Sequence, residues 1–324
     1  MQKLLTLLSD NHFHSGEELG QVLGITRAAV WKKLKALEGL GLHIDSVRGK
    51  GYRLSPDIEL LDHENITEQL ELAVKNKVAL HTCLSTGSTN DLVQELVFSS
   101  SRKQHFCTAE YQTRGRGRRG RNWSNPFGST ICLSALWKVG EGMASLEGLS
   151  LAVGVVVIQA LESIGCQGLK LKWPNDVLWQ SPEGYKKLAG ILLEVHGDPN
   201  GECKVIIGVG LNAALSQEQL TAIGQPATDL QRICGRVVSR NRAVSALINH
   251  ISTMLDQYGE EGFDAFRECW SRYDAFSAQT VTVDASGKQV IGIARGVSEQ
   301  GGLLLETDSG MMTFNGGEVS LRKR

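Results

Sequence analysis

The chain has 324 residues, 41% hydrophobic and 21% charged, enough to bury more than one core and to divide into two or three domains. A formal net charge of -1 excludes a polycation that holds nucleic acid over its whole surface, so such a partner must be met by a local basic patch. Seven cysteines (83, 107, 132, 166, 203, 234 and 269) lie scattered with no CxxC pair, which argues for reduced core thiols in a cytoplasmic protein and against a zinc site or a disulfide framework. The most apolar run, Leu149 to Leu161, is too short to span a bilayer, and neither an anchor nor a signal peptide is expected.

Residues 1–55 read as helix, helix, turn, helix, hairpin. Ser15-Gly16-Glu17-Glu18 opens the second helix by a capping pattern, with Leu19, Val22 and Leu23 as its inner stripe. Thr26 caps the third helix, where Val30, Leu34 and Leu37 recur at helical spacing and leave Arg27, Lys32, Lys33 and Lys35 off the stripe. Leu42 to Val47 alternates like a strand, and Arg48-Gly49-Lys50-Gly51 is a basic turn before Tyr52-Arg53-Leu54. From Arg27 to Arg53 the balance is +5 in a chain that sums to -1, which places phosphate-neutralising charge on a helix and a wing. Thr26, Arg27, Lys32, Lys33, Lys35, Arg48 and Lys50 are the DNA-binding candidates. Trp31 either fills the core beside Leu34, the preferred reading, or lies on DNA.

Ser55-Pro56 breaks the pattern, and Leu60 to Val74 reads as one helix. Val78 to His81 is a strand candidate that runs into Ser85-Thr86-Gly87-Ser88-Thr89-Asn90-Asp91, a hydroxyl-rich turn capping a helix from Leu92 to about Phe98. Its hydroxyls and amide can either cap the helix or bind a polar uncharged ligand group. Phe106 to Tyr111 is a strand leading to Gln112, and Ser129 to Trp137 is the returning strand. Between them lies Arg114-Gly115-Arg116-Gly117-Arg118-Arg119-Gly120-Arg121, followed by Asn122 and Trp123. Five guanidiniums and three glycines in eight residues predict a loop at a sheet edge that stays mobile until an anion arrives. The GxGxxG spacing within it does not mark a dinucleotide fold, because Asn122 to Pro126 is turn-like rather than helical.

Leu149 to Ile164 is a buried helix, and Leu169 to Lys172 leads into Trp173-Pro174-Asn175-Asp176, a turn that presents an amide and a carboxylate. Lys187 stands at the mouth of the apolar strand Ile191 to Val195. Val205 to Asn212 is another apolar strand, its glycines placed where side chains would block a ligand or a neighbouring backbone. Helical pattern fills Leu220 to about Phe276. From Gln279 the period switches to two, with turns at Ser286-Gly287, Gln300-Gly301-Gly302 and Asp308-Ser309-Gly310, the marks of a small barrel.

In this order, Ser88-Thr89-Asn90, Gln112 with the arginine loop, Lys172-Trp173-Pro174-Asn175-Asp176, Lys187-Leu188-Ala189-Gly190, Gly208 to Asn212 and Gly316-Gly317-Glu318 resemble the signatures of the bacterial bifunctional biotin protein ligases and biotin-operon repressors. The resemblance covers essentially the whole chain. It implies an α+β architecture of three parts: a winged helix-turn-helix over 1–62, a central mixed β-sheet with helices over 63–276, and a small SH3-like barrel over 277–324. It implies biotin and ATP as substrates with Mg2+ and no tightly bound metal or organic cofactor, formation of biotinyl-5'-AMP, and transfer of biotin to a lysine of biotin carboxyl carrier protein. Adenylate-bound homodimers would then repress by binding operator DNA. By the same resemblance Ser88, Thr89, Asn90, Gln112, Arg116, Arg118 and Lys187 hold biotin, with Lys187 and Arg118 catalytic. Arg118, Arg119, Arg121, Trp123, Lys172, Asn175 and Asn212 hold ATP, and Asp176 is a metal candidate. The departures from the family pattern, Thr113, Arg114 and Asn122, bear on how fast the adenylate leaves.

Overall fold

The computed structural model describes residues 2–55, 58–96, 104–139, 146–198, 201–285, 288–315 and 319–323. Pro56, Phe98, the Ser286-Gly287 turn and Gly316-Gly317-Glu318 lie outside the described residues.

The N-terminal part is α1 (Gln2–Leu8), α2 (Gly16–Leu23), α3 (Arg27–Glu38) and the antiparallel hairpin β1 (His43–Val47) and β2 (Gly51–Ser55). Ser15 and Glu18 form a reciprocal capping box on α2, and Thr26 accepts from the Ala29 amide, so both starts fall where the hydroxyls place them. Leu4, Leu5, Leu8, Leu19, Val30, Leu34 and Leu37 close the core. Two residues depart from the sequence reading. Val22 is 43% and Trp31 55% exposed, because Leu19, Val30 and Leu34 already fill the small interior and leave no room for an indole.

A linker crosses to the second core through Ile58 to Leu61. There α4 (His63–Glu68) and α5 (Leu72–Lys75) replace the single helix expected from 60 to 74, since Asp62 caps the chain late and Glu71 starts a separate turn. A seven-stranded sheet follows in the order β3-β4-β5-β9-β8-β7-β6, formed by β3 (Val78–Thr86), β4 (Gln104–Gln112), β5 (Thr130–Val139), β6 (Leu169–Lys172), β7 (Asp176–Ser181), β8 (Gly184–Gly197) and β9 (Cys203–Asn212). Only β3 and β4 pair in parallel, joined through α6 (Thr89–Glu95). One face is covered by α7 (Leu149–Ser163), apolar nearly all round and buried accordingly, and by α10 (Arg240–Glu261) and α11 (Asp264–Tyr273). Two short helices, α8 (Gln217–Ala222) and α9 (Leu230–Cys234), lie between β9 and α10.

The C-terminal part is a five-stranded antiparallel sheet in the order β13-β12-β11-β10-β14, from β10 (Thr280–Ala285), β11 (Lys288–Val297), β12 (Leu303–Thr307), β13 (Gly310–Phe314) and β14 (Val319–Lys323). Val281, Val283, Leu303 and Leu305 belong to the same core as α7 and the large sheet, so this part is packed onto its neighbour rather than tethered to it. Trp173, 1% exposed, donates its indole N–H to the Gly301 carbonyl at 2.9 Å and pins the two together.

Candidate active site

Every central residue singled out from the sequence lines one cavity of about 890 Å³ on the open face of the large sheet: Ser88, Thr89, Asn90, Gln112, Arg116, Arg118, Arg119, Arg121, Trp123, Lys172, Asn175, Asp176, Lys187 and Asn212. Six cations and a single carboxylate line it, so the cavity attracts anions before any specific contact is made.

The start of α6 builds one end. Ser88 is the N-cap, and Thr89 donates both its amide and its hydroxyl to Gln112 Oε1, at 2.7 and 3.0 Å. The Ser134 hydroxyl lies 2.7 Å from Thr89 Oγ1 and 2.6 Å from Asn90 Oδ1. The helix begins three residues before Leu92 because Ser88, not Asp91, caps it. The result is a set of buried hydroxyls and amides lining the cavity, with Asn90 also donating to Glu194 at 2.5 Å, suited to a neutral, multiply hydrogen-bonding group.

The arginine loop does not hang at a sheet edge. It leaves β4, turns back through the Arg116–Asn122 bridge and a single 3-10 turn at Arg118–Gly120, and lies across the sheet. Glycines of β8 and β9 permit this. A Cβ at Gly210 would stand 2.4 Å from the Trp123 ring and one at Gly208 2.6 Å from Asn90 Oδ1, so side chains there would expel the indole and the amide. Arg116 is held by the chain's own carboxylates, with Asp91 at 2.6 and 3.0 Å and Glu194 at 3.0 Å. The guanidinium in turn keeps Asp91 below the usual carboxylate range. This clamp was not legible beforehand. Its one signal was Glu194, a charge inside an otherwise apolar strand.

Arg118 reaches the opposite end, donating to Asn175 Oδ1 at 3.1 Å. Lys187 lies within β8, not at its mouth, opposite a register shift between Val177 and Leu178 that re-aims the local side chains. Its ammonium is 2.7 Å from Asp176 Oδ1 and 5.9 Å from the centre of the Trp123 ring. The loop and the lysine, 64 residues apart between Trp123 and Lys187, thus meet over the same space. Asp176 is engaged by Lys187, and among the described residues no three His, Cys, Asp or Glu side chains gather to hold a metal ion. Asn212, 2% exposed, gives its amide N–H to the Thr228 carbonyl at 2.9 Å. The stretch from 222 to 227 lines this wall, and it is not the continuous helix that the pattern from Leu220 suggested: α8 ends at Ala222, α9 starts only at Leu230, and the residues between them bend along the cavity.

The tolerance of this arrangement is small. Gly210→Ala should force the Trp123 ring off the sheet at a cost of about 1–3 kcal/mol, the usual penalty of overpacking. Limited trypsin digestion should then cut the loop at Arg118 to Arg121 faster than in the wild type; equal rates would show that the indole does not anchor it.

On the N-terminal part, Arg27, Lys32, Lys35, Arg48 and Lys50 are exposed, Lys33 is half-buried, and Thr26 caps α3. Trp31 extends from the same helix, with the Lys35 ammonium 6.0 Å from its ring centre. No helix among the described residues is long and apolar enough to cross a membrane.

Comparison with known proteins gives the family. Residues 83–212 match the biotin/lipoate A/B protein ligase family, residues 1–53 an HTH domain and residues 276–322 the biotin protein ligase C-terminal domain. The chain is 37% identical over 319 residues to the bifunctional ligase/repressor BirA of Salmonella typhimurium, covering 98% of this chain and 96% of that one. The Escherichia coli protein of the same name is 37% identical over 320 residues, 99% of this chain and 96% of its own. Among solved structures, the biotin protein ligase of Aquifex aeolicus in complex with biotin and ATP superimposes with a TM-score of 0.63 at 29% identity, over 76% of this chain and 99% of that one. The fold, the cavity and these matches define a biotin protein ligase domain joined to a helix-turn-helix head. The chain belongs to the family of bifunctional biotin protein ligases and repressors.

Proposed function

We propose that the cavity binds biotin and ATP and joins them as biotinyl-5'-AMP, whose biotinyl group then passes to a lysine of biotin carboxyl carrier protein. The observation that carries this reading is the meeting of Lys187, Arg118 and Trp123 around the end of the cavity remote from the buried hydroxyls of Ser88 and Thr89. One end suits a neutral ureido ring, with Ser88, Thr89, Asn90 and Gln112 as partners and Arg116 beside them. The other suits two anions, with Lys187 on the biotin carboxylate and Arg118, Arg119, Arg121 and Lys172 on the phosphates. Trp123 covers the adenine, and Asn175 and Asn212 border the nucleotide.

In the first step a biotin carboxylate oxygen attacks the alpha-phosphorus and pyrophosphate departs. Two negative reactants approach, and fixed cations placed where that charge gathers lower the barrier without moving a proton. In the second step the carrier's lysine amine attacks the mixed anhydride carbonyl and AMP leaves. Mg2+ would be carried by the nucleotide phosphates; the one carboxylate of the cavity, Asp176, is engaged by Lys187 and would contribute to it only indirectly.

The test is to incubate the protein with ATP, Mg2+ and labelled biotin, with and without an acceptor domain, and to follow pyrophosphate and label. Absence of both would end the proposal, and lipoate outcompeting biotin would reassign the substrate. If the loop shelters the anhydride, Arg118→Gly should release biotinyl-AMP and label bystander lysines. Unchanged retention would remove Arg118 from that role.

For the N-terminal part we propose operator binding, with Thr26, Arg27, Lys32, Lys33, Lys35, Arg48 and Lys50 at the DNA and two heads brought together when adenylate promotes dimerisation. The exposed cations on α3 and the wing support this. Sedimentation with and without biotin and ATP tests the coupling, and identical self-association would refute it.

A further inference from the structure

Behind the cavity, away from every residue assigned to the reaction, two thiols face each other. Cys166 follows the end of α7 and is fully buried, while Cys234 ends α9 and is half-buried; their sulfurs are 2.6 Å apart. The fold already brings the sulfurs of two cysteines 68 residues apart in sequence inside van der Waals contact, within reach of a bond. The turn that carries Cys166 is itself held, since Arg236 Nη2 donates to the Ile164 carbonyl at 2.9 Å and the Cys166 amide to Leu161 at 3.0 Å.

What α9 supports gives the pair its meaning. Asp229 caps α9 and accepts from the Leu215 amide at 3.1 Å, Arg232 donates to the Leu215 carbonyl at 2.6 Å, and the Gln231 amide donates to Ala213 at 3.1 Å. The ends of the segment from 213 to 229 are therefore hung on α9, while its cavity wall at 222–227 is also paired with β8, through the Lys187 amide on the Pro226 carbonyl and the Thr228 amide on the Lys187 carbonyl, both at 2.9 Å. α7 belongs to the main core.

We propose that Cys166 and Cys234 are a modification site: a reversible disulfide that ties α9 to α7 and thereby stiffens the segment lining the cavity. The oxidant class is a low-molecular-weight disulfide. The accessible Cys234 gives up its proton and attacks one sulfur of that disulfide, whose S–S bond breaks and releases one small thiol. Cys166 then loses its proton to solvent and attacks the Cys234 sulfur, displacing the second small thiol. Two protein thiols are oxidised and one disulfide is reduced to two thiols. The order follows from access and from burial, which together with the neighbouring Cys234 thiol pushes Cys166 up to about 12.

The test treats the full-length protein with oxidised glutathione, alkylates it after unfolding and maps its peptides. A cross-linked peptide joining Cys166 to Cys234 is expected, lost on dithiothreitol treatment and absent in Cys234→Ser, in which Cys166 remains alkylatable. Recovery of Cys166 as a free thiol in the oxidised wild type, with Cys234 either free or carrying glutathione, would overturn the site. Hydrogen exchange supplies the second readout. Amides of 213–229 should slow by about tenfold on oxidation and recover on reduction, with no change in Cys234→Ser. A cross-link without slower exchange would overturn the tie to the cavity wall.

Discussion

Lys187→Ala should lower the rate of biotin-dependent pyrophosphate release on the order of 10²- to 10³-fold, the scale set by removing one preorganised charge from a site where negative charge gathers. The argument rests on position. The ammonium stands between Asp176 and the Trp123 ring, beside the end of the cavity bordered by Arg118, and the strand around it is paired on both sides, so its place is set before any ligand arrives. Alanine leaves Asp176 without its cation, in a cavity where it then opposes both anionic substrates. Asp176→Asn in the same background should therefore restore part of the loss. The melting temperature should also fall, though less than in a fully buried pair, because Lys187 and Asp176 are only 19% and 17% exposed and the alanine breaks their ion pair. A variant that keeps more than about a third of the wild-type rate would remove Lys187 from the first step.

The largest effect on stability is expected at Arg240→Met. Arg240 and Glu110 are 4% and 3% exposed, and the guanidinium donates twice to Glu110 Oε2, once at 2.8 Å, while the Leu61 amide donates to Oε1. Removing one member of such a pair leaves a buried, unpaired carboxylate and costs about 3–5 kcal/mol. In a chain of this size that corresponds to a melting point lower by roughly 10 °C. Burial already pushes the Glu110 pKa up, with Arg240 opposing it. Without Arg240 the folded pKa rises further above the unfolded value, so Glu110 binds a proton more readily folded than unfolded. The variant's stability is then greatest below the unfolded pKa and falls as pH rises through the folded one. Calorimetry should show the gap from wild type narrowing toward pH 4–5 and widening at neutral pH. The double variant Glu110→Leu with Arg240→Met should recover most of the loss, since no charge is left in the interior. An equal deficit at every pH would mean that packing, not charge, is at stake.

Local rules explain how much of this was legible in advance. Ser15 and Thr26 cap helices because a hydroxyl satisfies an amide within three residues, and Val30, Leu34 and Leu37 are buried because helical spacing puts them on one face. The lining residues of the cavity could be named because their types already declare chemistry: clustered guanidiniums for anions, hydroxyls and amides for a neutral polar ring, glycines where backbone must stay bare. Signals that depend on the size of an interior failed. Trp31 has the composition of a core residue and is excluded only because the small N-terminal core is full without it.

By itself, then, the sequence determined the winged head, the alternation of strands and helices, and the inventory of charged and polar groups brought to the reaction. Only the tertiary structure decided that the arginine loop folds across the sheet onto Gly210, that Arg116 is clamped by Asp91 and Glu194, and that Cys166 meets Cys234. Spacing along a chain constrains neighbours a few residues apart, whereas these contacts join positions from 25 residues apart, as in Arg116 and Asp91, to 87, as in Trp123 and Gly210. Strand order and register bring such positions together, and both are set by the burial of the whole apolar core at once.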